Sequence, residues 1–354
     1  MSALSTPGTT TPAAYRGPGR GGAGLTDLVW LTWRQHRAVI VAGLAVAGMV
    51  TGSMLYVAAR IATINHQCGN TACPPGSAQA ASLTGFFGLT NLSIYLTIIV
   101  MFLPLLTGVF LGAPLLAREH EQRTLLLAWS QDITPQRWLW TKFALLGVLT
   151  AAAGAAVSAA AGHLAHMVSI ATGKSLFSLF SGAGFLVTGM LPLAVQTVAW
   201  LAVGVALGAA YRRTLPAIFT ALTGYIAVLF LVVWRYPSLM TPLTALVPYR
   251  GNQDFTSRLG ANILVIHQGM DTIYDASGHA MNRAAVQSLC PPANSGSPDD
   301  QCLAQHHFME ALRYQPGSRI PDFHLVLASG YLALGAIAVA VVWWLVRRTS
   351  LSAG

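Results

Sequence analysis

Residues 186–234 read LVTGMLPLAVQTVAWLAVGVALGAAYRRTLPAIFTALTGYIAVLFLVVW, and this stretch decides the fold. Two apolar runs, 186–210 and 215–234, are separated only by Tyr211-Arg212-Arg213-Thr214. Each run has about 20 residues or more, enough for a helix to cross about 30 Å of hydrocarbon at 1.5 Å per residue. Neither contains Asp, Glu, Lys or Arg. A soluble helix needs one wet face, and these offer none. The pair predicts a tight hairpin of two membrane-spanning helices.

Working outward, four further runs have the same character, at about 38–59, 91–116, 143–162 and 323–346. Pro104 and Pro114 predict kinks in the second. The composition agrees: 54% of the 354 residues are hydrophobic and 9% charged, against about 25% charged in soluble domains. The expected fold class is an all-α polytopic membrane protein with six transmembrane helices and a small mixed extracellular domain between helices 5 and 6. Residues 1–24 form a disordered cytoplasmic tail with little to bury. Residues 25–37 predict a short amphipathic interface helix, capped by Thr26 or Asp27, in which Trp30, Trp33, Arg34 and Arg37 suit the lipid–water boundary. The same residues also serve as flanking anchors for the first span. The main body is 38–234, with a connecting loop at 117–142. Residues 235–322 form the outer domain, with a β-branched run (Ile263, Val265, Ile266) and a helix near Gln301–Tyr314. Residues 323–354 hold the sixth span and a short tail.

Charge sets the expected orientation. With the N-terminus inside, Arg34, Arg37, Arg118, Arg123, Arg137, Lys142, Arg212, Arg213, Arg347 and Arg348 all fall inside, and the short outer loops hold only Arg60 and Lys174. Short loops rich in Lys and Arg stay cytoplasmic. Both termini are therefore expected in the cytoplasm of a plasma-membrane protein. The formal charge of +9 needs no nucleic acid to explain it. The four cysteines, Cys68, Cys73, Cys290 and Cys302, fall on the oxidising side of this topology. Pairs Cys68–Cys73 and Cys290–Cys302 are expected, although sequence also allows pairing between the two loops.

Catalytic motifs are sparse. Gly173-Lys174-Ser175 resembles the end of a phosphate loop, but Val168 stands where the leading glycine is required. His163 with His166, and His306 with His307 and Glu310, lack a complete ligand set, so no metal is expected. No H-E-x-x-H or G-x-S-x-G occurs. The spans carry no ionisable Asp, Glu, Lys or Arg, which disfavours a proton-coupled carrier. Asn91, Gln196 and Thr197 are the polar residues left for helix packing or a pathway. Gly48/Gly52 and Gly204/Gly208 form GxxxG pairs suited to close helix approach.

The most distinctive loop reads Arg118-Glu119-His120-Glu121-Gln122-Arg123-Thr124-Leu125-Leu126-Leu127-Ala128-Trp129-Ser130, then Gln131-Asp132-Ile133-Thr134-Pro135-Gln136-Arg137-Trp138, and reaches Lys142. A charged start precedes an apolar run too short to span. Thr134-Pro135 then signals a new helix start. This loop resembles the corresponding loop of type-2 ABC exporter permeases through Glu119, Glu121, Thr124, Leu125, Arg137 and Lys142. Leu31-Thr32-Trp33-Arg34-Gln35-His36-Arg37 resembles actinobacterial members. Arg123 stands where the family usually has glycine. The resemblance implies a permease subunit without its own ATPase site. It would pair with a second or related permease copy and couple to cytosolic ABC ATPase subunits, which bind the ATP and Mg. It assigns ATPase coupling to Glu119, Glu121, Arg123, Thr124, Trp129 and Arg137. The competing reading is a membrane-anchored sensor whose outer domain binds a ligand without transport.

Overall fold

The computed structural model describes residues 24–70, 73–86, 88–121, 135–172, 187–248, 264–291 and 300–351. The expected tail, apart from Gly24, lies outside these residues. So do Arg123, Thr124 and Trp129 of the 117–142 loop. Among the described residues, six helical stretches are long and apolar enough to cross a membrane.

Helix α1 (Leu25–Gln67) is one continuous helix of 43 residues. At 1.5 Å per residue it extends about 65 Å, roughly twice the hydrocarbon thickness. The sequence separates an interface helix at 25–37 from a span at 38–59. The structure joins them, because no Gly or Pro interrupts Trp33–Ala42. Asp27 accepts the Gly24 N–H at 2.9 Å and ties the first turn.

After the short α2 (Ala78–Thr84), the second span is built in pieces: α3 (Leu89–Met101), α4 (Leu103–Leu106), a π-helical segment Thr107–Gly112, and α5 (Ala113–Glu121). Pro104 and Pro114 lack the N–H that a continuous α-ladder needs at those points. The span that the sequence reads as kinked at Pro104 and Pro114 is divided into these segments, and its π turn has no sequence signal. Helix α6 (Pro135–Thr172) begins at the expected proline. Helices α7 (Met190–Tyr211) and α8 (Thr214–Arg235) form the hairpin. Arg212 adopts the left-handed conformation (φ 54°) that ends α7.

A four-stranded antiparallel sheet follows in the order β1-β4-β2-β3, from β1 (Leu243–Pro248), β2 (Leu264–Tyr274), β3 (Ala280–Met281) and β4 (Met309–Gln315). Short helices α9 (Arg283–Leu289) and α10 (Asp300–Gln305) lie between β3 and β4. The helix expected over Gln301–Tyr314 is corrected here. Only its start is helical; His307 turns the chain at φ 54°, and Met309–Gln315 becomes the strand between β1 and β2. Met, Glu, Ala and Leu favour helix intrinsically, but pairing on both edges overrides that preference. Both expected disulfides are present, Cys68–Cys73 and Cys290–Cys302. Gln315 Nε2 donates to the Met240 carbonyl at 2.7 Å and Arg319 to the Thr241 carbonyl at 2.8 Å, tying the chain's entry into the sheet to its exit. Helix α11 (Ile320–Leu351) supplies the last span.

Among the described residues the sheet region has its own small cluster around Ile273, Val286, Leu303 and Phe308, and the helices share two apolar layers. One joins Met54, Ile61, Leu96, Val109, Leu164, Trp200, Tyr225 and Phe323. The other joins Leu28 and Ile40 of α1, Leu115 of α5, Trp138 of α6, Val205 of α7 and Val342 of α11. The second layer therefore brings the start of α1, the end of α5, the start of α6, the end of α7 and the end of α11 to one end of the bundle. Helix α7 is the hub. Beta carbons on Gly204 or Gly208 would run into the backbone at Gly108 and Ala113. Only hydrogen fits there, so this GxxxG pair is a true close approach. Gly48 and Gly52 meet nothing within 4 Å.

Candidate functional site

The end of the bundle marked by Trp138 and Leu115 carries a charged cluster built from four helices. Helix α5 ends in Arg118, Glu119 and Glu121. Trp138 and Lys142 are four residues apart on α6, so they share one face one turn apart. Lys142 Nζ donates to Glu119 Oε1 at 2.8 Å, and the Lys142 side chain has no exposed surface. The ammonium also sits 3.6 Å from the centroid of the Trp138 ring. The ion pair offsets the burial of a full charge, and the indole face adds a cation–π contact. Lys142, placed just ahead of the third span by the sequence, is thus sealed between helices.

His36 of α1 lies within Coulombic reach of Lys142 and Arg118. His36 Nε2 and Glu119 Oε2 are buried without a hydrogen-bond partner among the described residues.

The second acid works on a different helix. Glu121 Oε1 accepts the Thr214 N–H at 2.7 Å, and its Oε2 accepts the Thr214 hydroxyl at 3.0 Å. The carboxylate occupies the N-terminus of α8, where unpaired N–H groups and the helix dipole favour negative charge. Arg118 and Arg213 lie within its electrostatic reach. The end of α5 is thus bonded to α6 through Glu119 and to the start of α8 through Glu121.

The remaining expected site residues fall elsewhere. Arg137 is exposed on the first turn of α6. Trp30 and Trp33 are exposed, as are Arg34 and Arg37, and Arg34 lies 5.3 Å from the Trp30 ring centroid. Arg347 and Arg348 stack on Trp343 and Trp344 at 4.0 and 3.8 Å. Such Trp–Arg pairs suit the headgroup zone, with ring in the interface and charge in water. Gln196 and Thr197 act in helix packing. Gln196 Nε2 donates to the Tyr331 hydroxyl at 3.0 Å, and Thr197 Oγ1 donates to the carbonyls of Ala194 and Thr150 at 2.8 and 3.2 Å. Asn91 donates to the Gly85 and Phe86 carbonyls, both at 3.1 Å, and so ties the turn ahead of α3.

The partners Lys142, Trp138, His36 and Thr214 were not singled out as site residues by sequence reasoning. The Trp138–Lys142 spacing was the available signal; the long-range pairings had none. Another unanticipated feature is a cleft of about 540 Å³ between α1, the π segment and α6, lined by residues that include Gly43, Ala47, Thr107, Phe110 and Thr150.

One group of three potential metal ligands occurs among the described residues: Cys290, Cys302 and His306. Both sulfurs are committed to a disulfide, and thiolate is the form that binds metal.

Comparison with known proteins gives two matches. Residues 238–320, which contain the sheet, match a family described as a domain of unknown function (DUF8319). Residues 39–235, more than half of the chain, match the family described as ABC-2 membrane transporter related. No curated protein and no solved structure matches the chain. With six helices of membrane-spanning length and this match across five of them, the chain is a multi-pass membrane permease that belongs to the ABC-2 membrane transporter related family.

Proposed function

We propose that this permease is the membrane-spanning subunit of an ATP-driven exporter. In this reading it pairs with a second copy or a related permease in the plasma membrane. Separate cytosolic ATPase subunits bind the ATP and Mg and drive it through the 117–142 segment. Both termini lie in the cytoplasm, and the sheet and both disulfides lie outside.

The observation that carries this reading is how the ends of the 122–134 segment are fastened. A solvated loop needs no buried charge at its root, yet Glu119 is paired to a fully buried Lys142. Energy for a cycle must enter from a partner whose nucleotide states bind the permease with different free energy. The ends of α5 and α6, bonded to each other through a buried charge, are a suitable receiver. The polarity of the chain agrees, since arginines flank the spans at this end and the disulfides lie in the opposite loops.

The test is affinity purification of the chain from its native membranes. An ATPase with Walker motifs is expected to co-purify. Charge reversal at exposed Arg137 (Arg137→Glu) is expected to weaken that association. Cysteine labelling should reach Ser277→Cys only from outside and Gln136→Cys only from inside. Absence of any ATPase, or both thiols labelled from the same face, refutes the reading.

A further inference from the structure

The cleft of about 540 Å³ beside α1 is walled by α1, the second span and α6. Ala38, Gly43 and Ala47 come from α1, Leu106 and Phe110 from the second span, and Leu149 from α6. A β-carbon on Gly43 would meet nothing within 4 Å, so the cleft is open along that helix. Its volume falls among those of small-molecule sites, about 300–1,000 Å³. None of the residues that line it is charged. Its hydroxyls, Thr107 and Thr150, already donate elsewhere. Thr107 Oγ1 donates to the Pro104 and Thr197 carbonyls at 2.7 and 3.1 Å, and Thr150 Oγ1 donates to the Gly147 carbonyl at 3.1 Å. The cleft therefore offers a ligand apolar contact, which favours hydrocarbon over a polar solute.

Length and position narrow the ligand further. The α1 part of the lining runs from Ala38 to Ala47. At 1.5 Å per residue that is about 14 Å, close to half of the ~30 Å hydrocarbon core and so to one leaflet. Two cations stand at the N-terminal end of this stretch. Arg37 precedes Ile40 by three residues and Leu44 by seven, and Arg34 precedes Ala38 by four, so each shares a side of α1 with residues that line the cleft. Helical side chains lean toward the N-terminus, which carries both guanidinium groups beyond the end of the cleft. Both arginines are exposed, and among the described residues neither forms an ion pair. The Trp30 ring lies 5.3 Å from the Arg34 guanidinium. A guanidinium binds phosphate oxygens two at a time. Hydrocarbon contact to the depth of one leaflet, ending at two exposed arginines, is complementary to a lipid with an anionic head.

We propose that the cleft binds an anionic phospholipid of the surrounding bilayer, with one acyl chain between α1, the second span and α6 and the phosphate on Arg34 and Arg37. The orientation proposed above puts this lipid in the cytoplasmic leaflet. The contacts themselves depend neither on that orientation nor on an ATPase.

The test is native mass spectrometry of the full chain in detergent, titrated with dioleoyl phosphatidylglycerol or dioleoyl phosphatidylcholine. The two lipids share their chains and differ in net charge. The parent is expected to hold phosphatidylglycerol about tenfold more tightly, the scale of two basic residues at an anionic surface. Arg34→Gln with Arg37→Gln is expected to abolish that preference. Arg347→Gln with Arg348→Gln removes the same charge from the Trp–Arg pairs of α11 and is expected to leave it intact. Gly43→Leu and, separately, Ala42→Leu put a side chain into the cleft from exposed positions on α1. Leucine is a good helix former, so both variants are expected to keep their helix content while losing retention of both lipids.

No preference in the parent overturns the proposal. So does an equal loss from the α11 pair, which would make the preference a property of charge at the interface in general. Full lipid retention in both leucine variants overturns the cleft as the place of the chain. Leucine variants that lower the dimer fraction and leave lipid retention unchanged overturn it as well, in favour of a second copy in the cleft. Cysteine labelling that placed Gln136→Cys outside would move the lipid to the other leaflet and refute the exporter topology, while the lipid contacts would stand.

Discussion

Replace Gly204 by alanine, and in separate variants Gly48 and Gly52. All three glycines lie inside long helices, so each substitution gains about 1 kcal/mol of intrinsic helix propensity. That gain cancels in the comparison, and what remains is packing. A β-carbon at Gly204 would collide with the Gly108 carbonyl oxygen and stand 2.8 Å from Ala113 N and 2.9 Å from Gly112 Cα. These are backbone atoms and cannot rotate away. Restoring about 3.5 Å to Gly112 Cα requires α7 to retreat by at least about 0.6 Å, and the nearer Gly108 oxygen requires more. A gap of that size forfeits about a quarter of the dispersion well along the rest of the contact, and overpacking of this kind costs about 1–3 kcal/mol. At Gly48 and Gly52 the new methyl meets nothing within 4 Å. Gly204→Ala should therefore be less stable than Gly48→Ala or Gly52→Ala by about 1–3 kcal/mol. Thermal unfolding of the purified protein in one detergent, followed by helix content, gives the comparison. If the three variants agree within about 0.5 kcal/mol, the close-packed hub around α7 is wrong. Should Gly48→Ala or Gly52→Ala keep monomer stability but lower the dimer fraction, that stripe is where a second copy sits.

Three further outcomes follow from the geometry. Replacing Cys290 and Cys302 by serine opens a cross-link with a sequence separation of 12, and should destabilise the sheet region by about 2–4 kcal/mol, read as faster proteolysis between β3 and β4. Gln196→Leu removes the bond to Tyr331; bonds between membrane helices average about 0.6 kcal/mol, so unfolding should move little. Asp275 accepts hydrogen bonds from the Ser277 hydroxyl and the His279 N–H, which hold its carboxyl below the usual range. The stabilisation of this turn is therefore complete above the ordinary aspartate range and is lost as pH falls through the lowered value. Amide exchange at Ser277 and His279 should stay slow from neutral pH down to ordinary carboxylate values and accelerate only below them; acceleration on raising pH, after correction for intrinsic exchange, refutes it.

The parts legible in sequence are those set by strong, local penalties. Charge is expensive in hydrocarbon, so spans of 20 neutral residues and their arginine borders stand out in the text. The same topology put all four cysteines on one face, which made the two short-range disulfides readable. Structure that depends on distant partners was not readable. Met309–Gln315 has helical propensity and becomes a strand only because β1 and β2 flank it. Thr107–Gly112 takes a π turn where Gly108 and Gly112 meet the backbone of α7, a contact between segments about 90 residues apart. At the site, Glu119, Glu121 and Arg137 drew notice from the family resemblance. Nothing in the sequence said what the two acids bond, because Lys142 and Thr214 declare themselves only when α5, α6 and α8 meet.

Polar contacts inside the bundle divide by strength. Many span hydroxyls bond only within their own helix, as Thr97 to the Ser93 carbonyl and Thr220 to the Pro216 carbonyl do. Among the described residues, several neutral bonds that cross between elements converge on α7 or the turn before it: Thr107 to the Thr197 carbonyl, Thr197 to the Thr150 carbonyl, Ser158 to the Val187 carbonyl, and Gln196 to Tyr331. Neutral contacts of this kind can be exchanged for others at a cost of about 0.6 kcal/mol each. Buried charge is different, because separating Lys142 from Glu119 leaves an uncompensated ion and costs about 3–5 kcal/mol. The root of α6 is therefore held more firmly than the neutral contacts around α7.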